Sequence, residues 1–173
     1  MTNWATIATW RMAHDGVLKA SEMLKENASA GDAVESLINV VEEYPYYKSV
    51  GYGGLPNEEG VVEMDAAFMD TLAQGAVGGI RHVLHAVSVA RQLSHEHFNS
   101  FRVGEGATKY ALVNGFEMRN MLTDRAKLRW QKRLKEIQDA QISPYDGHDT
   151  IGALTLAQSG SMAAATSTSG LFM

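Results

Sequence analysis

The chain has 173 residues and a formal net charge of −5, which already exclude several classes of protein. The length suits one domain, with roughly 70% of the unfolded chain's surface buried in the fold. The 45% hydrophobic and 20% charged residues are ordinary for a globular protein. An acidic chain lacks the basic surface that nucleic-acid binding needs. The absence of cysteine excludes a disulfide scaffold, a thiolate zinc site and a cysteine nucleophile.

The sequence also predicts where the protein works. No apolar stretch approaches the roughly 18 residues that would cross a membrane. The segment Met1–His14 lacks the basic region followed by an apolar region that marks a signal peptide. We therefore expect a cytoplasmic protein with neither a membrane nor a nucleic-acid partner.

The first third of the chain predicts a strand followed by two helices. Ala5–Trp10 is a short apolar and β-branched run typical of a buried strand, and a helix is expected over His14–Asn27. Asp32 and Glu35 have the spacing of a capping box, and Pro45 ends the helix that follows. The apolar stripe of that helix is Val34, Leu37, Ile38 and Val41.

In the middle of the chain a glycine-rich segment precedes a strand and three helices. Ser49–Gly60 contains closely spaced glycines, which let backbone pass where side chains would clash. Val61–Met69 is expected to be a strand, and Ser88–His95 and Glu105–Val113 to be helices. Thr123 is placed to cap a long helix. The apolar stripe of that helix is Ala126, Trp130, Leu134 and Ile137.

The last quarter predicts a hairpin. Two short apolar runs, Ile151–Ala157 and Met162–Thr168, flank the turn signal Ser159-Gly160. The register of such a hairpin puts Thr150 opposite Thr168 or Ser169, within roughly 5.5 Å at the backbone. Two hydroxyl residues therefore meet at the open end of the hairpin, although threonine is also common in strands for reasons of packing alone. Mixed strands and helices indicate an α/β or α+β fold.

Two histidine pairs and two other segments could be read as binding sites for a metal, an anionic partner or a phosphate group. The pairs His82 with His85 and His95 with His97 lack a carboxylate placed to complete a metal site, so ordinary hydrogen-bonded or surface histidines are favoured over a metal site. The basic stretch Arg119–Lys135 suits either an anionic partner or the solvated face of a helix. Gly104–Lys109 lacks the residue order of a phosphate-binding loop, so a turn between strand and helix explains it.

Motifs along the whole chain carry a resemblance to a known family. The most specific is Gly147-His148-Asp149-Thr150-Ile151-Gly152, and the others, in chain order, are 8–10, 31–35, 49–54, 60–66, 88–91, 103–107 and 166–170. Together they resemble the glycosylasparaginases, which are N-terminal-nucleophile hydrolases of the type 2 asparaginase superfamily. The Tyr-Gly-Gly form of residues 52–54 is more similar to the glycosylasparaginase branch than to the isoaspartyl peptidases. The resemblance implies an α+β fold, a four-layer αββα sandwich.

The resemblance implies that Thr150 is a nucleophile released by self-cleavage after Asp149. An internal threonine has no adjacent base, whereas cleavage creates an α-amine with a pKa of about 8 beside the hydroxyl. The implied reaction is hydrolysis of the side-chain amide of N4-(β-N-acetylglucosaminyl)-L-asparagine, a small-molecule substrate, without cofactor or metal. L-asparaginase or β-aspartyl peptidase activity, or an inactive fragment that assembles with a partner, are the alternatives.

Family roles are implied for five further positions. Asp149 would assist its own cleavage through its carboxylate, and Thr168 would hydrogen-bond near the nucleophile. Trp10 would line the substrate pocket, with a core aromatic at a strand end as the alternative. Ser49 would support the nucleophile, with a loop cap as the alternative. His148 is expected to shape the loop rather than to perform chemistry.

The resemblance also divides the chain and indicates a missing part. Residues 1–149 match the α-subunit and residues 150–173 match the start of the β-subunit. In the family the chain continues with an Arg-Val-Gly-Asp segment that binds the substrate's α-carboxylate and α-amine, and with a Thr-Gly pair that forms the oxyanion hole. Neither follows Thr168 here. We therefore expect an incomplete domain with exposed edges, completed by the remaining β-subunit, and a dimer of αβ units.

Overall fold

The computed structural model describes residues 3–140 and 150–169, and within these ranges the chain forms one six-stranded sheet with helices packed against it. The strands are β1 Ala5–Ala8, β2 Glu63–Asp70, β3 Gln74–Arg81, β4 Phe101–Val103, β5 Ile151–Leu156 and β6 Met162–Thr168. The helices are α1 His14–Lys25, α2 Ala30–Glu43, α3 Ala86–Ser94, α4 Gly104–Val113 and α5 Asp124–Ala140, and a single 3-10 turn, Arg11–Ala13, precedes α1.

The sheet brings the two ends of the chain together. Its order is β1-β5-β6-β2-β3-β4, with antiparallel neighbours throughout except for the parallel pair β3 and β4. The hairpin of β5 and β6 is therefore inserted between β1 and β2, far from both in sequence. This placement brings the start of β5 beside the end of β1.

One face of the sheet forms the core with α2 and α3. Along β2 the side chains alternate, so that Met64, Ala66 and Phe68 are buried while the intervening residues are exposed or half-buried. The inward residues of β5 and β6 alternate in the same way. The apolar stripe predicted for α2 is completely buried against this face: Val34, Leu37, Ile38 and Val41. Burial of apolar side chains such as these is the dominant favourable contribution to the free energy of folding.

The opposite face of the sheet is open among the described residues. Ile7 on β1 is 67% exposed and lies directly opposite Leu154 on β5, which is 49% exposed. Met69 and Phe101 extend this apolar surface towards the other edge of the sheet. The α+β class is confirmed. Because residues 3–140 and 150–169 contain one sheet, the four-layer sandwich stays a prediction.

The start of α2 corrects the predicted capping box. Ser29, not Asp32, is the N-cap, and its Oγ accepts a hydrogen bond from the Asp32 backbone N at 3.0 Å. The same hydroxyl donates to the Asp32 carboxylate at 2.7 Å. The helix begins three residues earlier than expected because the Ser29 hydroxyl caps the backbone N of Asp32. The Glu35 carboxylate pairs instead with Arg91 on α3.

The long helix α5 forms as predicted. Thr123 Oγ1 accepts a hydrogen bond from the Ala126 backbone N at 3.2 Å, which confirms the cap. Five basic residues of α5 are exposed, as a solvated helix face requires, namely Arg125, Lys127, Arg129, Lys132 and Lys135. Among the described residues, no helix has both the length and the apolar character that a membrane span requires.

Candidate active site

Three strand ends meet at one end of the sheet, and the hydroxyl residues singled out from the sequence lie there. Thr150 immediately precedes β5 and is exposed. The pairing of Ile151 with Ser167 confirms the predicted register, because one further step places Thr150 opposite Thr168. Alternation along the two strands puts both threonines on the open face of the sheet. A nucleophile at position 150 would therefore be accessible from that face.

Thr9, at the end of β1, fixes the backbone on both sides of Ile151. Its hydroxyl donates to the Thr150 carbonyl oxygen at 3.1 Å and accepts from the Gly152 backbone N at 2.9 Å. The Thr9 backbone N donates to the Gly152 carbonyl oxygen at 2.9 Å. Sequence reasoning gave Thr9 no role, since its contact with Thr150 depends on pairing between strands at opposite ends of the chain. The structure adds Thr9 to the candidate site.

Ser49 contacts the end of β6 through its backbone. The Ser49 carbonyl oxygen accepts hydrogen bonds from Thr168 Oγ1 at 3.3 Å and from the Ser169 backbone N at 2.8 Å. Ser49 itself is buried. The glycine-rich segment that begins at Ser49 therefore lies against the strand that carries Thr168. A supporting role of the Ser49 hydroxyl for the nucleophile stays a prediction.

Trp10 lies at the surface rather than in the core. Its side chain is 59% exposed, which excludes the alternative of a buried aromatic at a strand end. It lines a cleft of about 290 Å³ together with Tyr46, Tyr47 and Ser49. Its backbone has φ 64° and ψ 153°, a conformation that costs about 1–3 kcal/mol for a residue with a side chain. Such strain is concentrated at functional sites. A place for Trp10 in a substrate pocket stays a prediction.

The cleft beside Trp10 has a neutral polar wall. The Tyr47 hydroxyl donates to the Met12 carbonyl oxygen at 3.2 Å. Burial raises the pKa of Tyr47 above its ordinary value, so the phenol stays protonated at neutral pH. Arg11 and Lys48 are the basic residues that line this cleft. The cleft therefore combines aromatic rings with a few polar groups, as small-molecule sites do.

Asp65 is a further polar residue at the site that sequence reasoning missed. It pairs with Thr168 in the register of β2 and β6, so the two residues lie on the same face. Its carboxylate accepts a hydrogen bond from the Gly79 backbone N at 2.8 Å. Asp149 and His148 lie outside the described residues, and their predicted roles stay predictions.

The histidine pairs do not form a metal centre in the described part of the chain. No group of three histidine, aspartate or glutamate side chains converges there. His85 Nε2 lies 2.8 Å from a Glu43 carboxylate oxygen, which gives this histidine an ordinary ion-pair or hydrogen-bond partner. The segment at Gly104 is a turn between strand and helix, where Thr108 Oγ1 accepts from the Arg81 backbone N at 3.0 Å.

We predict that Thr9→Val slows the chemistry of Thr150 more than it destabilises the fold. Valine keeps the shape but removes both hydroxyl contacts, which costs about 1 kcal/mol in the free energy of unfolding. Misplacement of Thr150, the predicted nucleophile, by a fraction of an ångström would lower the rate by roughly 10–100-fold. Cleavage after residue 149 and urea unfolding measure the two effects. Thr9→Ser keeps the hydroxyl and is the control; a wild-type cleavage rate for Thr9→Val would contradict the assignment.

Comparisons with known proteins show what the chain is similar to. A family model described as asparaginase matches residues 4–173. An N(4)-(β-N-acetylglucosaminyl)-L-asparaginase from Elizabethkingia miricola is 36% identical over 166 residues, which are 95% of this chain and 49% of the relative. An isoaspartyl peptidase/L-asparaginase from Xenopus laevis is 36% identical over 160 residues, 90% of this chain and 51% of the relative.

A third relative extends the range of names. A plant-type L-asparaginase from Pyrococcus abyssi is 34% identical over 173 residues, 92% of this chain and 56% of that protein. The chain thus spans about half the length of the curated relatives it matches. Relatives named for different substrates are equally similar to it.

Proposed function

Because the chain belongs to the asparaginase family, we propose that it is the part of a self-processing amidohydrolase that carries the nucleophile, Thr150. The observation that carries the proposal is the meeting of Thr150, Thr168 and Thr9 at the ends of three neighbouring strands. Thr150 is exposed there, on the face of the sheet that the described residues leave open. Its backbone is held by Thr9 on one side, and its partner in the hairpin is held by Ser49 on the other.

The first step of the proposed chemistry is cleavage of the chain. The Thr150 hydroxyl attacks the Asp149 carbonyl carbon, and the bond from that carbon to the Thr150 nitrogen breaks. The hydroxyl proton passes to the departing nitrogen, and the acyl group is left as an ester on Thr150 Oγ1. Water hydrolyses the ester, which leaves a carboxylate on residue 149 and a free α-amine on Thr150. Assistance by the Asp149 carboxylate belongs to the same proposal.

The second step uses the new amine as a base. With a pKa of about 8, the α-amine can accept the proton of its own hydroxyl near neutral pH. Thr150 Oγ1 then attacks the side-chain amide carbon of an asparagine derivative. The bond from that carbon to the amide nitrogen breaks, and the nitrogen leaves as an amine after it takes a proton from the Thr150 α-ammonium group. The resulting β-aspartyl ester on Thr150 is hydrolysed by water, which regenerates the hydroxyl. Thr168 would hydrogen-bond near the nucleophile during these steps.

We assign N4-(β-N-acetylglucosaminyl)-L-asparagine as the preferred substrate. The Tyr-Gly-Gly sequence at residues 52–54 and the similarity to the Elizabethkingia miricola protein support this assignment. The equal identity to the Xenopus laevis protein favours L-asparaginase or isoaspartyl peptidase activity as the second candidate. Trp10 and the cleft beside it would contact the substrate in either case.

The open face of the sheet supports a further layer of structure. Ile7, Leu154, Met69 and Phe101 expose apolar surface on this face, and contiguous exposed apolar patches mark interaction sites. We propose that a second sheet, corresponding to the other half of the relatives' length, packs there and completes the four-layer sandwich. It would supply the groups that bind the substrate's α-carboxylate and the oxyanion. Each missing oxyanion donor lowers the rate of such a reaction by about 10²–10³-fold. The αβ unit formed in this way would assemble into a dimer. The protein would be located in the cytoplasm.

Three substrates assayed side by side test the assignment. The protein as expressed from its own gene is expected to show its highest kcat/KM for N4-(β-N-acetylglucosaminyl)-L-asparagine, with L-asparagine and a β-aspartyl dipeptide hydrolysed more slowly. The reason is that the pocket beyond the reacting amide is expected to accept the sugar. A preference for the β-aspartyl dipeptide would instead support the second candidate, and no hydrolysis of any of the three by cleaved protein would contradict both.

A further inference from the structure

Glu42 is a buried carboxyl group that the proposed chemistry does not use. It lies in the last turn of α2 and has no exposed surface. Its Oε1 accepts hydrogen bonds from Ser167 Oγ at 2.6 Å and from the Val87 backbone N at 3.2 Å. Its Oε2 is buried without a hydrogen-bond partner among residues 3–140 and 150–169. Burying a carboxyl group costs free energy unless its oxygens are hydrogen-bonded. A buried acid at this position therefore indicates a specific structural or functional role.

The partner of Glu42 lies at the junction of the candidate site. Ser167 pairs with Ile151, the residue that follows Thr150, and it directly precedes Thr168. The bond from Ser167 to Glu42 therefore fixes, from the core side of the sheet, the two strand ends that carry both threonines. The open face then presents the hydroxyl groups while the core face is anchored to α2.

The backbone of Glu42 contacts the glycine-rich segment that lies beside Thr168. Its carbonyl oxygen accepts a hydrogen bond from the Tyr52 backbone N at 2.7 Å. Tyr52 belongs to the glycine-rich segment whose Ser49 carbonyl contacts Thr168. One residue of α2 thus contacts the hairpin through its carboxyl group and the glycine-rich segment through its backbone.

The surroundings of Glu42 keep its carboxyl group neutral. The pKa of Glu42 is raised to about 8, mainly by burial and also by the nearby carboxylates of Glu35 and Glu43 on the same helix, while the hydrogen bonds from Ser167 and Val87 act to lower it. Arg91 on α3 and His85, the residue just before α3, pair with those two carboxylates rather than with Glu42. The inward faces of β2 and β6, both fully described, carry no titratable side chain. Tyr52 contacts Glu42 by its backbone, and its ring lies against Arg119.

We propose that Glu42 is a positioning residue for the Thr150 site, which acts by holding Ser167 and, through it, the strand ends that carry Thr150 and Thr168. The inference rests on the function proposed above. Such a role requires a particular kind of side chain at position 42. The group must accept hydrogen bonds from Ser167 and Val87, and it must do so without a charge.

Substitutions at Glu42 test this demand in the protein as expressed from its own gene. Glu42→Gln keeps the acceptor oxygen and is neutral at every pH, so cleavage after residue 149 is expected within about threefold of the wild-type rate. Glu42→Ala removes the acceptor, and a decrease of about 30-fold or more is expected. Amide hydrogen exchange at Ile151, Ser167 and Thr168 should be faster in Glu42→Ala and unchanged in Glu42→Gln.

Thr155→Val is the matched control for a loss of stability alone. Thr155 is also buried and also binds α2, through a hydroxyl bond of 2.8 Å to the Ala30 carbonyl oxygen, but it lies towards the far end of β5. Its loss should destabilise the fold without slowing cleavage. Wild-type cleavage and exchange in Glu42→Ala, or equal slowing in Thr155→Val, would overturn the inference. If the wild-type chain does not cleave, the proposed function fails, while hydrogen exchange still decides the role of Glu42.

The pH profile gives a second, independent readout. The unfolded carboxyl ionises near 4.5 and the folded one near 8, so the wild-type protein binds the extra proton only when folded and loses stability as pH rises between these values. Glu42→Gln lacks this loss. The urea midpoint of Glu42→Gln relative to wild type should therefore rise from pH 5 to pH 8, and a constant difference would show that Glu42 is charged when folded and contradict the inference.

Discussion

Thr150→Ala is expected to leave the protein as one uncleaved chain without amidohydrolase activity. The substitution removes the hydroxyl oxygen that makes the first attack in both steps of the proposed mechanism, so cleavage should fall by roughly 10⁴-fold or more. The fold should be little affected, because Thr150 is exposed and its carbonyl oxygen, which contacts Thr9, is retained. Electrophoresis measures cleavage, and circular dichroism checks the fold.

Thr150→Ser is the matched control for this experiment. Serine keeps a hydroxyl group on the same backbone, so partial cleavage and partial activity are expected. A Thr150→Ala protein that still divides into two fragments would place the nucleophile elsewhere. A Thr150→Ser protein as inert as Thr150→Ala would show that the β-methyl group, and not only the hydroxyl, is needed to orient the attack.

Gly51→Ala is expected to cost about 4 kcal/mol in the free energy of unfolding, or to prevent folding. Gly51 has φ +66°, and an added Cβ would lie 2.2 Å from the Glu42 carbonyl oxygen and 2.4 Å from its Cα. Both atoms belong to the backbone of α2, so neither can move without disturbing the helix end. The glycine-rich segment that the sequence singled out therefore needs glycine here for a close approach between two backbones.

Gly115→Ala separates this clash from the cost of the backbone conformation. Gly115 has a similar φ of +77°, but an added Cβ there meets nothing within 4 Å. We expect a loss of about 1 kcal/mol, from the left-handed conformation alone. Urea unfolding of both variants gives the comparison. Equal losses would mean that the approach of Gly51 to Glu42 contributes nothing, and would contradict the account of this segment.

The parts of the fold that the sequence predicted are those governed by local patterns. The hairpin register followed from the turn at Ser159-Gly160, because alternation fixes every later pair once the turn is known. The cap at Thr123 and the end of α2 before Pro45 followed from the chemistry of single residues. The shift of the α2 start to Ser29 shows the limit of such patterns, since Ser29 with Asp32 and Asp32 with Glu35 have the same spacing.

Strands β3 and β4 could not be predicted, for a physical reason. Three of the eight residues of β3 are glycine, which has low strand propensity, and Gly79 has φ +58°, which breaks the alternation. The strand exists because it pairs with β2 in the sheet and α3 packs against it. Strand β4 has three residues and depends on its parallel partner β3. Such elements are stabilised by contacts with distant parts of the chain rather than by their own sequence.

The candidate site shows the same division. Thr150 and Thr168 were predicted as neighbours because one hairpin holds both. Thr9 was missed because its contact with Thr150 joins residues 141 positions apart. Glu42 did carry a signal, since it follows Ile38 by four positions on the apolar stripe of α2 and is the acidic residue on that buried face. An acid at a core position of a helical pattern is itself an indication of a special role.

The central claim is that Thr150 becomes the first residue of a new chain. Tandem mass spectrometry of the intact and digested protein, expressed from its own gene, tests it most directly. The account predicts a fragment whose N-terminus reads Thr-Ile-Gly, beginning at residue 150, together with a companion fragment that ends at residue 149. Catalytically active protein in which the bond between residues 149 and 150 is whole would contradict the account.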